Sequence, residues 1–454
     1  MLNLRDYQLE TIEKIQQSMH NGHRSIIVQQ PPRTGKTVIM AEIARRATLK
    51  GNRVLWMVHR KEIVEQARKT FIAHGVDMKL VKLGMVQTLT RRVDKLAEPA
   101  IIFVDEGHHS TAKSYRRILD HFPNSVKLMF TATPTRLSGE GFEEVADDLI
   151  VGKPIKWLID NGYLAPVDYY APNSLDISQL KVKRNGEFDE KSIEDAFKPK
   201  IYGDVVKTFK KLSSNKQAIA YTYNVKSAER LAKMFNQNGI TSKVVSGQTK
   251  KDERAEIIKR YRDGEIQVVT NAELFTEGLD LPNVDTVIML RPTQSLSLYL
   301  QFAMRSMNPK EGKTAIIIDH VGNVNRFGLP TDEREWSLTG SGKVKQAKSE
   351  AAPTITTCEH CFATFYRKSL TKCPFCGAEL SEPEVLEVEA DVELHKVERL
   401  SRIKEITQNA IMMNVAGKTP AELKSYEEVK AYQKLMHYKS GWTFYYSKKR
   451  GFIK

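Results

Sequence analysis

Cysteine is scarce in this chain and confined to one short stretch. All four cysteines among the 454 residues fall between Cys358 and Cys376. This distribution excludes a disulfide framework that spans the chain, and in a reducing compartment such a cluster favours metal binding over disulfides. We therefore expect one small metal-binding module towards the C-terminal end.

Long apolar runs are missing as well. No stretch approaches the roughly 18 apolar residues that a membrane helix needs. Residues 1–6 lack the basic, apolar and small-residue succession that is typical of a signal peptide. These absences predict that no membrane is a partner and that the protein stays in the cytoplasm.

Acidic residues are outnumbered by basic ones. Seventy Lys and Arg stand against fifty-five Asp and Glu, which leaves a formal net charge of +15. This excess suggests a polyanionic partner such as nucleic acid, although simple solubility would also account for it. The hydrophobic fraction of 41% suits a globular protein, and the length predicts two or three domains.

Short apolar segments alternate with amphipathic ones over the first 320 residues, in two series. This alternation predicts an α/β fold with two lobes, each a parallel sheet covered by helices. The strand candidates are Ile26–Gln30, Val54–Val58, Ile101–Val104 and Leu128–Thr131, then Ala218–Tyr221, Lys243–Val245, Gln267–Thr270, Val287–Leu290 and Ala315–Asp319. The helix candidates are Val38–Leu49, Lys61–His74, Ala112–His121, Lys226–Asn238, Lys250–Arg262 and Ser295–Met307.

Shifts in composition indicate the domain boundaries. The first lobe is expected at 1–150 and the second lobe at 201–327. A mixed inter-lobe segment separates them at 151–200. A polar linker at 328–352, a zinc-binding module at 353–380 and an acidic linker followed by a basic helical region at 381–454 complete the chain.

The first strand candidate leads into a tight loop that reads Gln-Gln-Pro-Pro-Arg-Thr-Gly-Lys-Thr. Gly35 would let backbone amides close around phosphates, Lys36 could reach the terminal phosphates, and the Thr37 hydroxyl could hold Mg²⁺. Gln30 stands where the full pattern has its first glycine, so the match depends on the flanking strand and helix. We interpret this segment as a P-loop.

Two adjacent carboxylates follow the apolar run at residues 101–104. Asp105 and Glu106 would lie at the carboxyl edge of the sheet, beside the P-loop. Asp105 could take Mg²⁺ through water, and Glu106 could polarise the attacking water. An exposed acidic turn or a histidine-rich metal site is the alternative.

In this order, the motifs resemble those of superfamily 2 helicases of the DEAD/DEAH type. The resemblance is greatest to the type encoded in phage replication modules, and RadD-like repair helicases are broader relatives. It covers about residues 2–325 by motif. It implies two RecA-like lobes, hydrolysis of ATP with Mg²⁺, and nucleic acid as the partner, with DNA favoured over RNA and replication proteins as further candidates.

The resemblance assigns roles to individual residues of this chain. It implies adenine recognition by Arg5 and Gln8, nucleotide binding by Gly35, Lys36, Thr37, Asp105 and Asp280, and catalysis by Lys36, Asp105, Glu106 and Arg305. It implies contacts with nucleic acid by Arg60, Thr88, Arg91, Thr276 and Gly278. Thr131–Thr133 resembles the motif that couples the nucleotide site to the strand contacts. Solvated arginines and an ordinary strand end remain the alternatives for each residue taken alone.

The chain departs from the family pattern at two places. Motif VI of the family reads Gln-x-x-Gly-Arg-x-x-Arg. Here Gln301 and Arg305 match it, but Met304 replaces the glycine and Asn308 replaces the second arginine. In the P-loop, Arg33 stands where the family often has another glycine. The lost arginine puts the rate of turnover in doubt.

An arginine that stabilises the transferring phosphate can contribute about 10³–10⁵ in rate, and Asn308 carries no charge. Three explanations are open. Arg305 alone suffices in a slow or regulated ATPase, another cation such as Arg33 or Arg291 compensates, or the protein binds ATP without useful turnover. We favour the first, which predicts that Arg305→Ala abolishes nucleic-acid-stimulated ATPase and that Asn308→Arg preserves or raises it.

The sequence therefore predicts an ATP-dependent helicase or translocase that works on DNA, in phage replication or recombination. One alternative is an ATP-gated clamp on nucleic acid that hydrolyses slowly. A second alternative is a duplex-DNA translocase of a restriction-type complex.

Two features lie outside the helicase motifs. Cys358 and Cys361 combine with Cys373 and Cys376 at a spacing that predicts a closed, structural Zn²⁺ site. A redox pair or an iron–sulfur site is the alternative. The segment Val429–Lys454 carries seven Lys or Arg, no acid and interleaved aromatic rings. These rings could stack on bases as a single-strand platform, or they could form the core of a small domain.

Overall fold

The computed structural model describes residues 2–135, 141–171, 180–183, 186–196, 199–272, 281, 283–339, 355–367, 370–380, 415, 418–436, 438 and 440–452. The chain divides into two compact units, Met1–Ala378 and Glu379–Lys454. The first unit contains two parallel sheets of six strands each and a two-stranded antiparallel sheet.

The first lobe is built on a parallel sheet with the strand order β3-β2-β4-β5-β1-β6. Its strands are β1 (Ser25–Gln29), β2 (Val54–Val58), β3 (Val81–Met85), β4 (Ile101–Asp105), β5 (Val126–Thr131) and β6 (Asp148–Val151). Its helices are α1 (Asp6–His20), α2 (Lys36–Thr48), α3 (Lys61–Ala73), α4 (Val86–Thr90) and α5 (Lys113–His121).

Helices cover both faces of this sheet because its central strands are apolar on both faces. Successive residues of a strand point to opposite sides. In β1, Ile26 and Val28 pack with α1, α2 and α3, whereas Ile27 packs on the other side with α4 and α5. This double coverage leaves the ends of the strands as the accessible part of the sheet.

The second lobe is a parallel sheet with the order β7-β12-β11-β8-β10-β9. Its strands are β7 (Val167–Tyr170), β8 (Ala218–Thr222), β9 (Ser242–Ser246), β10 (Val268–Ala272), β11 (Thr286–Leu290) and β12 (Ala315–Asp319). The helices of this part are α6 (Ile155–Asp160), α7 (Glu190–Ala196), α8 (Pro199–Ser213), α9 (Val225–Gln237), α10 (Lys251–Arg262), α11 (Leu296–Ala303) and α12 (Asn323–Phe327).

The nine predicted strands are present, with bounds shifted by two residues at most, but the sequence pattern does not predict three further strands of the parallel sheets. These are β3 and β6, at the two edges of the first sheet, and β7, at an edge of the second. Strand β7 falls within the segment 151–200, so we place the start of the second lobe before it.

The predicted helix Ser295–Met307 is too long. Helix α11 ends at Ala303, and a 3₁₀ turn follows at Met304–Ser306. In a 3₁₀ turn the side chains at i and i+3 lie on the same side. The turn thereby buries both Met304 and Met307 in the core of the second lobe.

The cysteine module packs against the second lobe. Strands β13 (Ile355–Thr357) and β14 (Thr364–Tyr366) pair antiparallel. Ala363 forms an antiparallel bridge with Tyr170 at the end of the edge strand β7. The Lys211 ammonium donates to the carbonyl oxygen of His360 at 3.0 Å and lies 5.0 Å from the ring centroid of Phe362.

Residues 328–339, which we call the strap, return the chain from the second lobe to the first. The Arg334 guanidinium donates to four backbone carbonyls of residues 327–332. At the far end, the carbonyl oxygen of Leu338 accepts from the amide of Phe142 at 2.8 Å, and its side chain packs on the core of the first lobe. The strap occupies the start of the segment that the sequence predicts to be a linker.

The second compact unit has a small core of its own. Its helices are α13 (Tyr426–Leu435) and α14 (Ser440–Lys449). Val415, Leu423, Val429 and Tyr432 are buried in this core, and Trp442, Tyr446 and Phe452 pack against it. Among the described residues, no helix is both long enough and apolar enough to cross a membrane.

Candidate nucleotide and nucleic-acid sites

The carboxyl edge of the first sheet carries all the motifs predicted in that lobe. The P-loop follows β1, Arg60 follows β2, and Thr88 lies in α4 directly after β3. Asp105 ends β4, and Thr131 ends β5. Because parallel strands end on one side of their sheet, these residues share one edge.

Two side chains of the N-terminal helix α1 hydrogen-bond to the backbone of the P-loop. The carbonyl oxygen of Thr34 accepts hydrogen bonds from the Tyr7 hydroxyl at 2.8 Å and from Gln8 Nε2 at 2.9 Å. Gly35 has φ +79°, and a Cβ there would lie 2.5 Å from Gln8 Nε2. Only glycine fits this position, both because of its backbone conformation and because Gln8 approaches it so closely.

Arg5 and Gln8, the predicted adenine-recognition residues, lie on the same side of the P-loop. The amide of Arg5 donates to Gln8 Oε1 at 3.0 Å, and the Arg5 guanidinium lies 5.3 Å from the ring centroid of Tyr163. Tyr7 packs edge-on against Tyr163, with the ring centroids 4.9 Å apart. A purine placed here would therefore meet aromatic and cationic groups from two segments.

Lys36 and Glu106 face each other. The Lys36 ammonium is 3.7 Å from Glu106 Oε1, and His108 Nδ1 is 3.4 Å from Glu106 Oε2. Glu106 has φ +56°, an uncommon value for a residue with a side chain. This turn directs its carboxylate back towards the P-loop, while the Asp105 carboxylate accepts from the Glu106 amide at 3.0 Å.

A series of ring contacts leads from this carboxylate to Arg60. The rings of His108 and His109 lie 4.1 Å apart, and those of His109 and His59 lie 4.9 Å apart. The Arg60 guanidinium donates from Nε to His59 Nε2 at 3.2 Å. His108 Nδ1 also lies 3.3 Å from Thr131 Oγ1. The structure thus connects the predicted nucleotide residues to one predicted nucleic-acid residue.

The predicted nucleic-acid residues differ in their surroundings. Thr88 is exposed within α4, and Arg91 is exposed directly after it. Arg60 is half-buried at the residue before α3. Thr276 and Gly278 in the second lobe lie outside the described residues, as does Asp280 of the nucleotide set.

The two lobes meet at the P-loop. Arg33 Nη1 donates to Asn308 Oδ1 of the second lobe. Burial raises the pKa of Tyr221, and the hydrogen-bonded Arg305 guanidinium and the charge of Arg33 oppose this rise. One cluster between the lobes therefore contains Arg33, Asn308, Arg305 and Tyr221. Thr37, the predicted Mg²⁺ ligand of the P-loop, is the second residue of α2.

The four cysteine sulfurs converge. All lie within 4.8 Å of one another, at 3.7 Å between Cys358 and Cys376 and 3.6 Å between Cys361 and Cys373. Sulfurs placed tetrahedrally about 2.3 Å from one Zn²⁺ ion would be separated by about 3.8 Å. The two knuckles have the same form, since Phe362 and Gly377, each following the second cysteine, both have positive φ.

Sequence reasoning missed Tyr7 and Tyr221, as well as the contribution of His59 and His109. Tyr7 lies directly before Gln8 and two residues after Arg5, the predicted adenine-recognition residues, so its position in the chain is a signal that could have found it. No pattern marks Tyr221, because it is an apolar-strand residue whose neighbour Arg305 is 84 positions later. Only the folded sheet brings these two residues together.

Two family descriptions match the chain. Residues 1–95 and 77–136 match the family described as type III restriction enzyme, res subunit. Residues 200–309 match the helicase conserved C-terminal domain. The 51.5 kDa protein of a Lactococcus phage (isolate 7-9) is 40% identical over 377 residues, which cover 82% of this chain and 83% of that protein. This chain belongs to the phage-type superfamily 2 helicases. It is an ATP hydrolase that binds nucleic acid.

The helicase has further relatives. A Saccharomyces cerevisiae protein provisionally named ATP-dependent helicase IRC3 is 31% identical over 366 residues, 72% of the helicase and 53% of IRC3. The helicase thus spans about half of that relative. A fragment assigned to the HsdR subunit of a type I restriction enzyme from Vibrio vulnificus YJ016 aligns with a TM-score of 0.57 and 20% identity, over 72% of the helicase and 66% of the fragment. This likeness supports the RecA-like fold of both lobes.

Proposed function

We propose that this helicase is an ATP-driven motor on DNA that serves phage replication or recombination in the cytoplasm of a bacterial host. The proposal rests on the convergence of the nucleotide-binding residues of the first lobe with motif VI of the second lobe. Lys36 faces Glu106 at 3.7 Å, and the same P-loop contacts Asn308 of the other lobe. DNA is supported by the net charge of +15, by the phage relative, and by the match to a restriction-enzyme family.

In this proposal each residue of the nucleotide site has a separate role. Lys36 leaves Glu106 and binds the terminal phosphates when ATP enters, which frees the Glu106 carboxylate to orient the attacking water. Gln8 and Arg5 hold the base, and Gly35 lets backbone amides approach the phosphates. Arg305 senses closure of the cleft from the second lobe.

Thr37 and Asp105 offer the oxygen donors that Mg²⁺ prefers. Both belong to elements that end or begin at the same sheet edge, so the donor set fits the ion. When bound, Mg²⁺ neutralises charge on the β- and γ-phosphates.

Movement along DNA follows from the two-lobe arrangement. Closure on ATP and opening after hydrolysis shift the DNA contacts of one lobe relative to those of the other. We assign Arg60, Thr88 and Arg91 in the first lobe and Thr276 and Gly278 in the second to these contacts. Phosphate contacts suit a motor because they do not depend on base sequence.

We also propose that the four cysteines hold one structural Zn²⁺ ion. The sulfur separations agree with a tetrahedral Cys₄ site and are too long for disulfides, whose sulfurs are about 2.05 Å apart. With four thiolates and no open position, the ion would stabilise the module rather than take part in catalysis.

An ATPase assay tests the proposed motor. Hydrolysis is measured with single-stranded DNA, duplex DNA and RNA in parallel, for the wild type and for Lys36→Ala and Glu106→Gln. We expect the strongest stimulation by DNA, and a loss of at least about 10²-fold in kcat for both variants. Arg53→Ala, which removes an exposed arginine at the opposite edge of the sheet, is the matched control.

Two further assays separate the remaining alternatives. Strand displacement would establish unwinding, and displacement of a triplex without strand separation would establish translocation on duplex DNA. Tight binding with no stimulated turnover would instead identify an ATP-gated clamp and contradict the motor. Stimulation by RNA alone would contradict the choice of DNA.

A further inference from the structure

Arg33 adopts a backbone conformation that suits glycine. Its φ is +65°, in the left-handed region that residues with a side chain rarely enter. Glycine would adopt this conformation without strain, and the family often has glycine at this position of the P-loop. A strained residue of this kind persists where the side chain has a use.

The Arg33 side chain crosses the cleft between the lobes. Its Nη1 donates to the Asn308 side-chain oxygen, 275 positions later in the chain. Asn308 follows the 3₁₀ turn Met304–Ser306 and is half-buried. The contact therefore joins the tip of the P-loop to the last position of motif VI.

The two partners depart from the family pattern in complementary ways. Where the family often has glycine in the P-loop and has arginine at the end of motif VI, this chain has Arg33 and Asn308. One guanidinium is present in either arrangement, but here it extends from the P-loop and meets a neutral acceptor on the second lobe. The guanidinium therefore belongs to the first lobe in this chain, whereas in the family pattern it belongs to the second.

We propose that Arg33 is the catalytic cation that replaces the second arginine of motif VI, and that Asn308 is its positioning residue. The proposal rests on the proposed nucleotide site. As the oxygen of water bonds to the γ-phosphorus, the bond to the β–γ bridging oxygen breaks and its electron pair passes to ADP. A water proton passes through Glu106 to the released phosphate. Arg33 neutralises the charge that develops on the phosphoryl oxygens.

Asn308 makes this charge depend on closure of the cleft. An arginine on the P-loop is always near the phosphates, whereas its orientation requires the amide oxygen from the other lobe. Arg305 is hydrogen-bonded to Tyr221, and the charge of Arg33 also acts on this phenol. The contact also changes the expectation for Asn308→Arg, because a second guanidinium there would face Arg33 and repel it.

Exchanging the two residues tests the proposal. The full-length variants are Arg33→Gly, Asn308→Arg and the double variant Arg33→Gly/Asn308→Arg, with Arg53→Ala as the control for loss of one arginine. The readouts are kcat and KM for ATP with single-stranded poly(dT). Each single variant should lose at least about tenfold in kcat with little change in KM, and the double variant should recover at least about tenfold over Arg33→Gly.

Thermal unfolding and inhibitor binding exclude a merely structural role. Arg33→Gly relieves the strained backbone, so its midpoint of unfolding should equal or exceed that of the wild type although its turnover falls. Its affinity for ADP with aluminium fluoride, which mimics the transferring phosphoryl group, should fall by at least about tenfold, while its affinity for ADP alone should not change.

A smaller loss in Arg33→Gly, or a double variant no faster than Arg33→Gly, would overturn the proposal. Lys36→Ala separates this failure from a failure of the nucleotide site. If Lys36→Ala is inactive and Arg33→Gly is not, only the role of Arg33 is wrong. If Lys36→Ala retains full activity, the nucleotide site itself is wrong.

Discussion

Three residues other than glycine have positive φ among the residues that the structure describes, and each lies at a candidate site. Arg33 extends from the P-loop, Glu106 faces Lys36, and Phe362 closes the first cysteine knuckle. Such conformations cost about 1–3 kcal/mol each and need support from their surroundings. The sequence motifs identify Arg33 and Glu106 as residues of interest, but only the folded structure shows their positive φ.

Glu42 joins α2 to the end of α3 through hydrogen bonds with two arginines and a histidine. It is 4% exposed and accepts from Arg45, Arg46 and, at 2.8 Å, His74. The hydrogen bonds from Arg45 foremost, and those from Arg46 and His74, hold the pKa of Glu42 at about 2 against the effect of burial.

This lowered pKa predicts a dependence of stability on pH. The ionised carboxylate stabilises the folded chain fully above about pH 4.5, and this contribution is lost as the pH falls through about 2. Its size is of the order of 3 kcal/mol. The free energy of unfolding of Glu42→Gln should therefore fall less steeply with acid than that of the wild type. Glu65→Gln, at an exposed position of α3, is the control, and equal slopes for all three proteins would contradict the prediction.

At the scale of elements, the sequence pattern predicts every central strand of the two parallel sheets but only one of their four edge strands, β9. Strands β4 and β11 are buried along their whole length and read as continuous apolar runs. Strand β3, at an edge, contains Lys82 and Gly84 and resembles a loop in composition. Edge strands need fewer apolar residues because one side of the ladder is open, so their sequences carry a weaker signal.

Removal of zinc should loosen the module and the edge strand that it contacts. Because Ala363 pairs with Tyr170, chelation or Cys373→Ser should raise amide hydrogen exchange in residues 355–380 and in β7. Exchange in β1 of the first lobe should not change. Metal analysis should give about one zinc ion per chain, and unchanged exchange after complete chelation would contradict a structural site.

Helix α14 divides its aromatic rings between a core and a surface. Trp442 and Tyr446 stack at 4.8 Å within the small unit. Phe444 and Tyr445 are 51% and 75% exposed, and the Lys448 ammonium lies 5.8 Å from the centroid of the Phe444 ring. The core interpretation is confirmed for the first two rings, and stacking on bases stays a prediction for the exposed pair.

The exposed pair should bind single-stranded DNA. Phe444→Ala/Tyr445→Ala should weaken binding to poly(dT) by about tenfold, because stacking contributes about 1–3 kcal/mol per base. Leu49→Ala, which truncates an apolar side chain that is 72% exposed in the first lobe, is the control. If the double variant binds poly(dT) with the affinity and salt dependence of the wild type, the exposed rings do not bind single-stranded DNA.

At the scale of the whole molecule, the most informative contacts join distant parts of the chain. Arg33 was noted as an unusual P-loop residue and Asn308 as a lost arginine, but nothing in the sequence relates two positions 275 apart. The strap was expected to be a linker because it is polar. Several of its polar groups are instead hydrogen-bonded within the fold, as Arg334 and Asp332 illustrate.

Anchoring of the strap to the first lobe can be tested at its far end. Leu338→Asp places a charge against the apolar core of that lobe and should release the strap. Hydrogen exchange in residues 329–339 should rise and the midpoint of thermal unfolding should fall. Thr339→Asp, at an exposed neighbouring position, should change neither. Equal exchange in the two variants would show that the anchor lies elsewhere.

The return of residues 328–339 to the first lobe means that the polypeptide passes between the lobes more than once. It crosses forward before β7 and back again before Leu338. A protease that cut the forward passage alone would leave the first lobe held to the rest of the chain only by non-covalent contacts, among them those of Leu338. This anchor also restricts the rotations open to the two lobes, so an enzyme without it should open more widely and convert less of each hydrolysed ATP into directed movement.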